Sequence, residues 1–547
     1  MLVSTPAHWA SWPRLVVLWV ACFMLATPMV RAQTAPTWAS VRRLPAATSV
    51  GQSRAESIAL ATDGSQYVVG RFTGTLVLGN ITLTEGAGSG HLYLAKYSAA
   101  GVALWATKLD ANGSSVHAKV AVDAAGNAYL AGDFDTFLTL GSTTLTATTV
   151  AGTPNDAFLV KYDSQGVQQW VRQAVAGGAG NTGSAFLYGV ATDASGNVTI
   201  AGDFLNSVSF GGTPFTGAGV YLYRFSPTGT LLLSKQVSDD GFADDLVLDA
   251  AGNAYITGGF YNNTTFGTTT LPNAGNADLF LCKLNAAGTL QWVQTAGGPD
   301  EDAGTALALD AAGNAVVCGY YGNAKYLVRV TNQGALGWTR VLASGSLGYS
   351  PFNAVVYDGR GGFFVAGRFS GSLILGNTTL TATGLSACVA RYDGQGTAVW
   401  ASQAVSTGTP AGSGADGLAT DAAGTIYLAG YALSSTQFGS LPVSTGGSDA
   451  LVATLTAGSV LATHAASPAL ALAAYPNPAS GRVTLTLPVG GGQLELLDAL
   501  GRRVRQLALP ATAGPCAVPL AGLAPGLYQL RATLGNGQPA QATLQVQ

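Results

Sequence analysis

The chain has 547 residues and a formal charge of −3, and only 10% of its residues are charged. That length exceeds one ordinary compact domain, and few charges with 48% hydrophobic residues exclude a disordered chain. The absence of any Lys/Arg run excludes the basic surface that nucleic-acid binding needs.

The N-terminus reads as a targeting segment. Arg14 precedes the apolar run "LVVLWVACFMLA", and Val30-Arg31-Ala32 gives a small-x-small ending. This predicts a secretory signal over residues 1–32, cleaved after Ala32. A membrane anchor is the alternative, but the run falls short of the roughly 20 apolar residues a spanning helix needs. Cys282, Cys318, Cys388 and Cys516 then remain. The first three lie in apolar strand-like runs and read as small buried hydrophobes. No C-x-x-C spacing supports zinc. The remaining histidines, His91, His117 and His464, are far apart in sequence. A histidine metal site or a Ser-His-Asp arrangement has little material.

From residue 38 onward the chain repeats itself. "VDAAGNAYLAGDF" at residues 122–134 returns in six variants, and a second string such as "AFLVKYDSQG" follows each copy. After six of these come Trp105, Trp170, Leu233, Trp292, Trp338 and Trp400, with Trp38 ahead of the first copy in a similar context. Each copy predicts four short strands, A to D. Between A and B, Asp opens a type I turn and Gly closes it at positive φ. Asp63, Asp123, Asp193, Asp249, Asp310, Asp358 and Asp421 are assigned that place. Calcium ligation is their alternative role, but one carboxylate per turn is poor material for it.

Four-stranded sheets that are apolar on both faces must cover one another. The fold expected is all-β: a seven-bladed β-propeller of four-stranded blades over residues 33–460, a linker at 461–473 and a small C-terminal β-sandwich at 474–547. The strand "TWASVRRL" is expected to complete the seventh blade, with "SVLATH" as its rival. D-x-x-G-N-x-Y, the segment in "LTLGSTTLT" and K-Y-D-x-x-G-x-x-x-W together resemble the bacterial SBBP propeller repeat over residues 38–458. Copy five lacks the G-x-x-T-L segment, and copy four has Leu233 for Trp.

The last module carries Tyr475-Pro476-Asn477-Pro478, then L-x-D-x-x-G-R-x-V with Asp498 and Gly501, then L-x-x-G-x-Y with Gly526 and Tyr528. These motifs resemble the type A C-terminal sorting domain of the type IX secretion system. The resemblance implies export by the Sec route and then across the outer membrane. It also implies release or surface attachment, with the type IX machinery as partner. An ordinary accessory sandwich is the alternative.

Loops B–C and D–A share one face and vary in length, so binding is expected there or at the channel mouth. The second-last residues of the B strands are Arg71, Asp133, Asp203, Gly259, Tyr320, Arg368 and Tyr431. They read either as ordinary surface variation or as a rim suited to sugars or peptides. Asp239, Asp240, Asp244 and Asp245, with Asp300, Glu301 and Asp302, occupy matching loops of neighbouring blades. They read as a solvated acidic patch, with calcium or a glycosidase carboxylate pair as alternatives. Lys96, Lys161, Arg224, Lys283, Arg329 and Arg391 end the C strands. They read as packed stems with solvated heads rather than as a charge ring. No cofactor is expected, calcium aside, nor any membrane span after signal cleavage. No catalytic signature occurs. The expectation is an exported glycan- or protein-binding propeller, and the alternatives are a carbohydrate-active enzyme and a structural adhesion component.

Overall fold

The computed structural model describes residues 36–46, 51–86, 88, 90–111, 117–148, 155–177, 183–342, 351–456, 470–498, 503–535 and 539–547. The expected signal segment, most of the linker and the rival strand "SVLATH" lie outside these residues. Every element among them is a β-strand.

The second repeat shows the unit. Its strands A (Ala118–Val122), B (Ala128–Phe134), C (Asp156–Tyr162) and D (Gln168–Gln173) form one antiparallel sheet in that order. B and C are buried along their whole length, because the sheet is apolar on both faces. Tyr129 and Ala131 pack toward the third sheet, while Ala128 and Leu130 pack toward the first.

The A strands are Ser53–Leu60, Ala118–Val122, Ser184–Thr192, Phe242–Leu248, Asp302–Leu309, Phe352–Tyr357 and the latter part of Ala398–Thr420. They touch in chain order, and the last touches the first. A Cβ on Gly417 would lie 3.1 Å from the Ser57 Cα. The fold is therefore β-propeller-like, with the A strands innermost.

The N-terminal strand Thr37–Leu44 pairs antiparallel with Leu441–Thr456, the C strand of the last sheet, with Val41 opposite Ala453. Ser53 Oγ donates to the Leu44 carbonyl at 2.7 Å and accepts from the Ala450 amide at 2.9 Å. One assignment needs correction. The residue opposite Thr454, where Lys96 faces Trp105, is Ser40 and not Trp38. Trp38 instead packs on Gly439 and edge-on against Phe438 at 4.9 Å.

The recurring Trp and Gly are two halves of one contact. Trp105 Nε1 donates to the Ser164 carbonyl of the next sheet at 3.1 Å, and its ring lies on Gly166. Trp170 does the same to Pro227 and Gly229, and Trp338 to Gly394 and Gly396. The C-strand cations join this latch. Lys96 Nζ donates to the Ser164 carbonyl, Lys161 Nζ to that of Pro227, and Arg224 to those of Ala286 and Gly252. All three are at least nine-tenths buried. Their heads are thus in blade-to-blade contacts, not in water, because the neighbouring turn supplies bare carbonyls within reach. Arg329 and Arg391 instead pair with Asp310 and Asp358 in their own sheets.

The A–B turns behave as the motif predicts. Asp123 Oδ1 accepts from the Ala125 and Asn127 amides, and Asn127 Nδ2 donates to Oδ2. Asp193, Asp249 and Asp310 repeat the set. Asp63 does not hold the same place. Ala61 makes the backbone bonds that Asp123 makes, and Asp63 lies two residues later. In the fifth copy, Tyr321 faces Ala324 directly across a short turn, where other copies insert a longer hairpin.

The described residues from 470 onward form a separate pair of sheets. One holds Leu470–Ala471, Pro539–Val546, Gly526–Leu534, Gly492–Leu497 and Arg503–Ala508; the other holds Ala474–Tyr475, Arg482–Leu487 and Gly514–Pro519. Both contribute to one core that includes Val483, Leu485, Leu496, Leu530 and Leu544.

Candidate functional site at one end of the innermost strands

Near its start, most A strands skip one residue against B. The extra residues are Glu56, Tyr188, Asp244, Thr305, Asn353 and Asp416. The second copy keeps register, with Lys119 opposite Ala131. A bulge re-aims a side chain, and here it does so at one end of the innermost strands. At that end the A backbone also closes onto strand B, with a bulge or without one. A Cβ on Gly70 would strike the Arg54 carbonyl, and one on Gly132 the His117 carbonyl. This explains the glycine before the penultimate B residue in the repeat.

The bulge residues and the penultimate B residues meet in two sectors. In the first, Arg54 forks onto Asp416 with bonds of 2.8 and 2.7 Å, and lies over the Tyr431 ring at 4.6 Å. Asn353 Nδ2 donates to the same carboxylate at 3.2 Å. Arg368 donates to the Tyr431 hydroxyl at 3.2 Å, and Arg71 pairs with Glu56 at 2.5 Å. The Glu56 carboxyl is nevertheless pushed up to about 7, because burial outweighs its arginine neighbours.

The second sector is acidic and aromatic. Asp133 is 1% exposed, and neither carboxylate oxygen has a hydrogen-bond partner among the described residues. Burial, with Asp203, Glu56 and Asp135 nearby, holds its carboxyl well above the usual range. Asp203 Oδ1 is likewise buried and unpartnered. Burial lifts Asp203 too, with Asp244 adding to it. Asp244 is pushed up to about 7, mainly by burial, although Lys119 pulls the other way. Lys119 spans from the second sheet to the fourth, donating to the Asp244 carbonyl at 2.9 Å and pairing with Asp245 at 3.1 Å. Tyr188 stacks with Phe186 at 6.3 Å and lies 6.4 Å from the His117 ring.

Of the residues read from sequence as a rim, Arg71, Asp133, Asp203, Arg368 and Tyr431 enter these two sectors. Tyr320 is buried and its hydroxyl meets Glu301 at 3.4 Å. Gly259 is packed against Phe242 and Ala303. The solvent-facing reading fails for Asp133, Tyr320 and Tyr431, each more than nine-tenths buried. Strand alternation turns them toward the next sheet. Glu56, Tyr188 and Asp416 were not found from sequence, because a bulge shifts them out of the strand pattern, and Arg54 was missed because it lies just ahead of one.

The acidic loops organise backbone. Asp239 accepts from Thr265, Asp240 from Tyr261 and Asn262, and Asp302 from Gly298 and Gly322. The next-door Asp300 lies by Gly322. Among the described residues no three His, Cys, Asp or Glu side chains are grouped to hold a metal ion.

In the C-terminal pair of sheets, Asn477 Nδ2 donates to the Thr543 carbonyl at 2.7 Å, and its Oδ1 accepts from the Gln545 amide at 2.9 Å. Tyr475 is exposed, and Tyr475-Pro476 and Asn477-Pro478 are cis. Tyr528 donates to the Ala524 carbonyl at 2.9 Å, just ahead of Gly526. Asp498 follows the strand Gly492–Leu497, and Gly501 lies outside the described residues.

Residues 473–544 match the family described as the secretion system C-terminal sorting domain. This is a type IX secretion signal, so the protein is secreted or attached to the cell surface. No helix among the described residues is long and apolar enough to cross a membrane. No curated protein matches the chain. Among solved structures, it is similar to the extracellular domain of the hybrid two-component system BT4673 from B. thetaiotaomicron. The identity is 12% and the TM-score 0.38, over 94% of this chain and 60% of that one. The chain thus spans about 60% of that structure's length. PorZ, a surface component of the type-IX secretion system of Porphyromonas gingivalis, is 14% identical at a TM-score of 0.30, over 90% of this chain and 70% of its own. The Dos1 propeller is 9% identical at 0.37, over 77% and 96%.

Proposed function

We propose that this protein is an exported, non-catalytic binding protein that takes a glycan or protein ligand at the channel mouth. In this reading the ring is a seven-bladed propeller of the SBBP repeat type, and a C-terminal β-sandwich directs it through the type IX machinery. Seven A strands meeting in a closed cycle support the blade count. Two sheets sharing one core support the sandwich. A cleaved signal peptide at residues 1–32 completes the export route.

The observation that carries the binding role is the polar convergence at one end of the ring. Arg54, Asp416, Asn353, Arg71, Glu56, Arg368 and Tyr431 hold one another in fixed geometry there. Preorganised polar groups beside aromatic rings suit recognition of a polar ligand. The test incubates the purified protein with panels of polysaccharides and surface proteins, scoring retention and new reducing ends together. Retention that is lost in Arg54→Ala and Tyr431→Ala supports the role. Neither retention nor turnover leaves a structural component.

A second reading has one observation in its favour. Glu56 and Asp244 are both lifted to about 7, the range that suits a general acid at neutral pH. New reducing ends in the same incubation would select a carbohydrate-active enzyme.

A further inference from the structure

The acidic sector of the mouth is more specific than a polar rim. Asp133 occupies the same side of its strand as Tyr129 and Ala131, which pack against the third sheet. Strand alternation therefore aims its carboxyl at that sheet, which carries Phe186, Tyr188 and Asp203. Both Asp133 oxygens and one Asp203 oxygen are buried without a partner among the described residues. Elsewhere at the mouth the carboxylates of Asp416 and Asp245 are paired with cations. A carboxyl held bare and buried is costly unless it keeps its own proton or a donor arrives.

The surroundings discriminate among donors. No metal-holding group of side chains is present among the described residues. The Phe186–Tyr188 stack offers aromatic faces, which attract organic cations. A primary ammonium supplies three N–H donors together with positive charge. We infer that the Asp133–Asp203–Tyr188 sector binds the primary ammonium group of an amine ligand. This rests on the reading of the channel mouth as a binding site and narrows its ligand class.

Charge coupling gives the inference a second signature. Asp133 faces Asp203, Glu56 and Asp135, and Tyr188 lies by Asp244 and His117 as well. Lys119, the cation beside Asp244, is committed to Asp245. Burial holds the Asp133 carboxyl well above the ordinary carboxylate range. Ammonium binding favours the ionised form, so it should release a proton, and affinity should rise with pH.

The experiment titrates the full exported protein with methyl glucosaminide, its N-acetylated counterpart and the amide of N-acetyl-lysine, by calorimetry at pH 5 and pH 8. At least one amine should bind saturably and bind at least tenfold more tightly at pH 8. The acetylated sugar should bind at least tenfold more weakly than its amine. The two amines distinguish an amino sugar from a lysyl side chain as the source. Asp133→Asn, with folding checked by thermal melt, should lose at least tenfold in affinity. Tyr188→Leu, which keeps the carboxylates, should also weaken binding. Absence of amine binding at pH 8, equal binding of the acetylated sugar, or an unaffected Asp133→Asn would overturn the inference. If polymers are still retained in those cases, the wider reading survives alone. Amine binding without polymer retention would have the reverse meaning.

Discussion

The Trp105 indole of one sheet lies flat on Gly166 of the next and donates to the Ser164 carbonyl at 3.1 Å. Two residues that the sequence repeats in step are thus the facing sides of a single joint. The same joint recurs at Trp170 with Gly229, Trp292 with Gly334 and Trp338 with Gly396.

Gly166 has no room for a side chain. A Cβ there would lie 2.7 Å from the Trp105 ring, and φ is +84°. Gly166→Ala should therefore destabilise the protein by about 1–3 kcal/mol, from strain and a displaced indole. Trp105→Ala should cost about 2 kcal/mol by losing area and a hydrogen bond. The double variant should cost less than the sum, since the clash vanishes with the ring. Denaturant unfolding of the four proteins measures this, and simple additivity would contradict the joint.

Asp244 makes stability depend on pH. Its carboxyl is lifted from near 4 to about 7, chiefly by burial. Below its unfolded value it is neutral in both states and costs nothing. As pH rises toward 7 the unfolded state ionises first, and stability falls. Asp244→Asn removes that loss, so it should gain roughly 1–3 kcal/mol over the parent at pH 8 and little at pH 4. Thermal melts at the two pH values provide the comparison. A larger gain at pH 4 would reverse the sign and refute the assignment.

Asn477 ties the Y-P-N-P segment to the last strand through Thr543 and Gln545. Removing residues 470–547 should abolish appearance of the protein at the cell surface or in the medium, while leaving it made and folded inside the envelope. Asn477→Ala, which loses both bonds, should lower the exported fraction by weakening the module by about 1–2 kcal/mol. Cell fractionation with immunoblotting reads both variants. Unchanged export of the truncated chain would show that another signal directs it.

Much of this architecture is legible in the residues. The D-A-A-G turns, the Trp spacing and the strand "TWASVRRL" were enough to expect sheets arranged in a ring with the N-terminal strand outermost in the last. Where the reading slipped, backbone irregularity was the cause. Asp63 looked equivalent to Asp123, yet the first turn places Ala61 at that point. Trp38 looked like a latch tryptophan, yet register puts Ser40 there, and Arg42 reaches the next turn at Gly101. The mouth was half visible. Their shared place in the repeat located Arg71, Asp133 and Asp203, but the partners Glu56, Arg54 and Asp416 sit around bulges in stretches without a recurring motif. Their cue was the glycine beside them: Gly70 and Gly430 recur because the A backbone presses on strand B. The fate of the C-strand lysines was not readable from one repeat, since the carbonyls that receive them belong to the next.

The central claim is that the chain closes on itself, bringing the first A strand against the last. Ser57 and Gly417 are 360 residues apart in sequence, yet a Cβ on Gly417 would lie 3.1 Å from the Ser57 Cα. Reaction of an Arg54→Cys/Asp416→Cys variant, whose parent side chains meet across the closure, with a short bis-maleimide, followed by peptide mass mapping, tests this directly. A closed ring predicts an intramolecular cross-link between the two, formed in the folded monomer and absent from either single variant. Folded monomer labelled at both positions without a cross-link, or cross-links only between molecules, would mean that the sheets run in an open array.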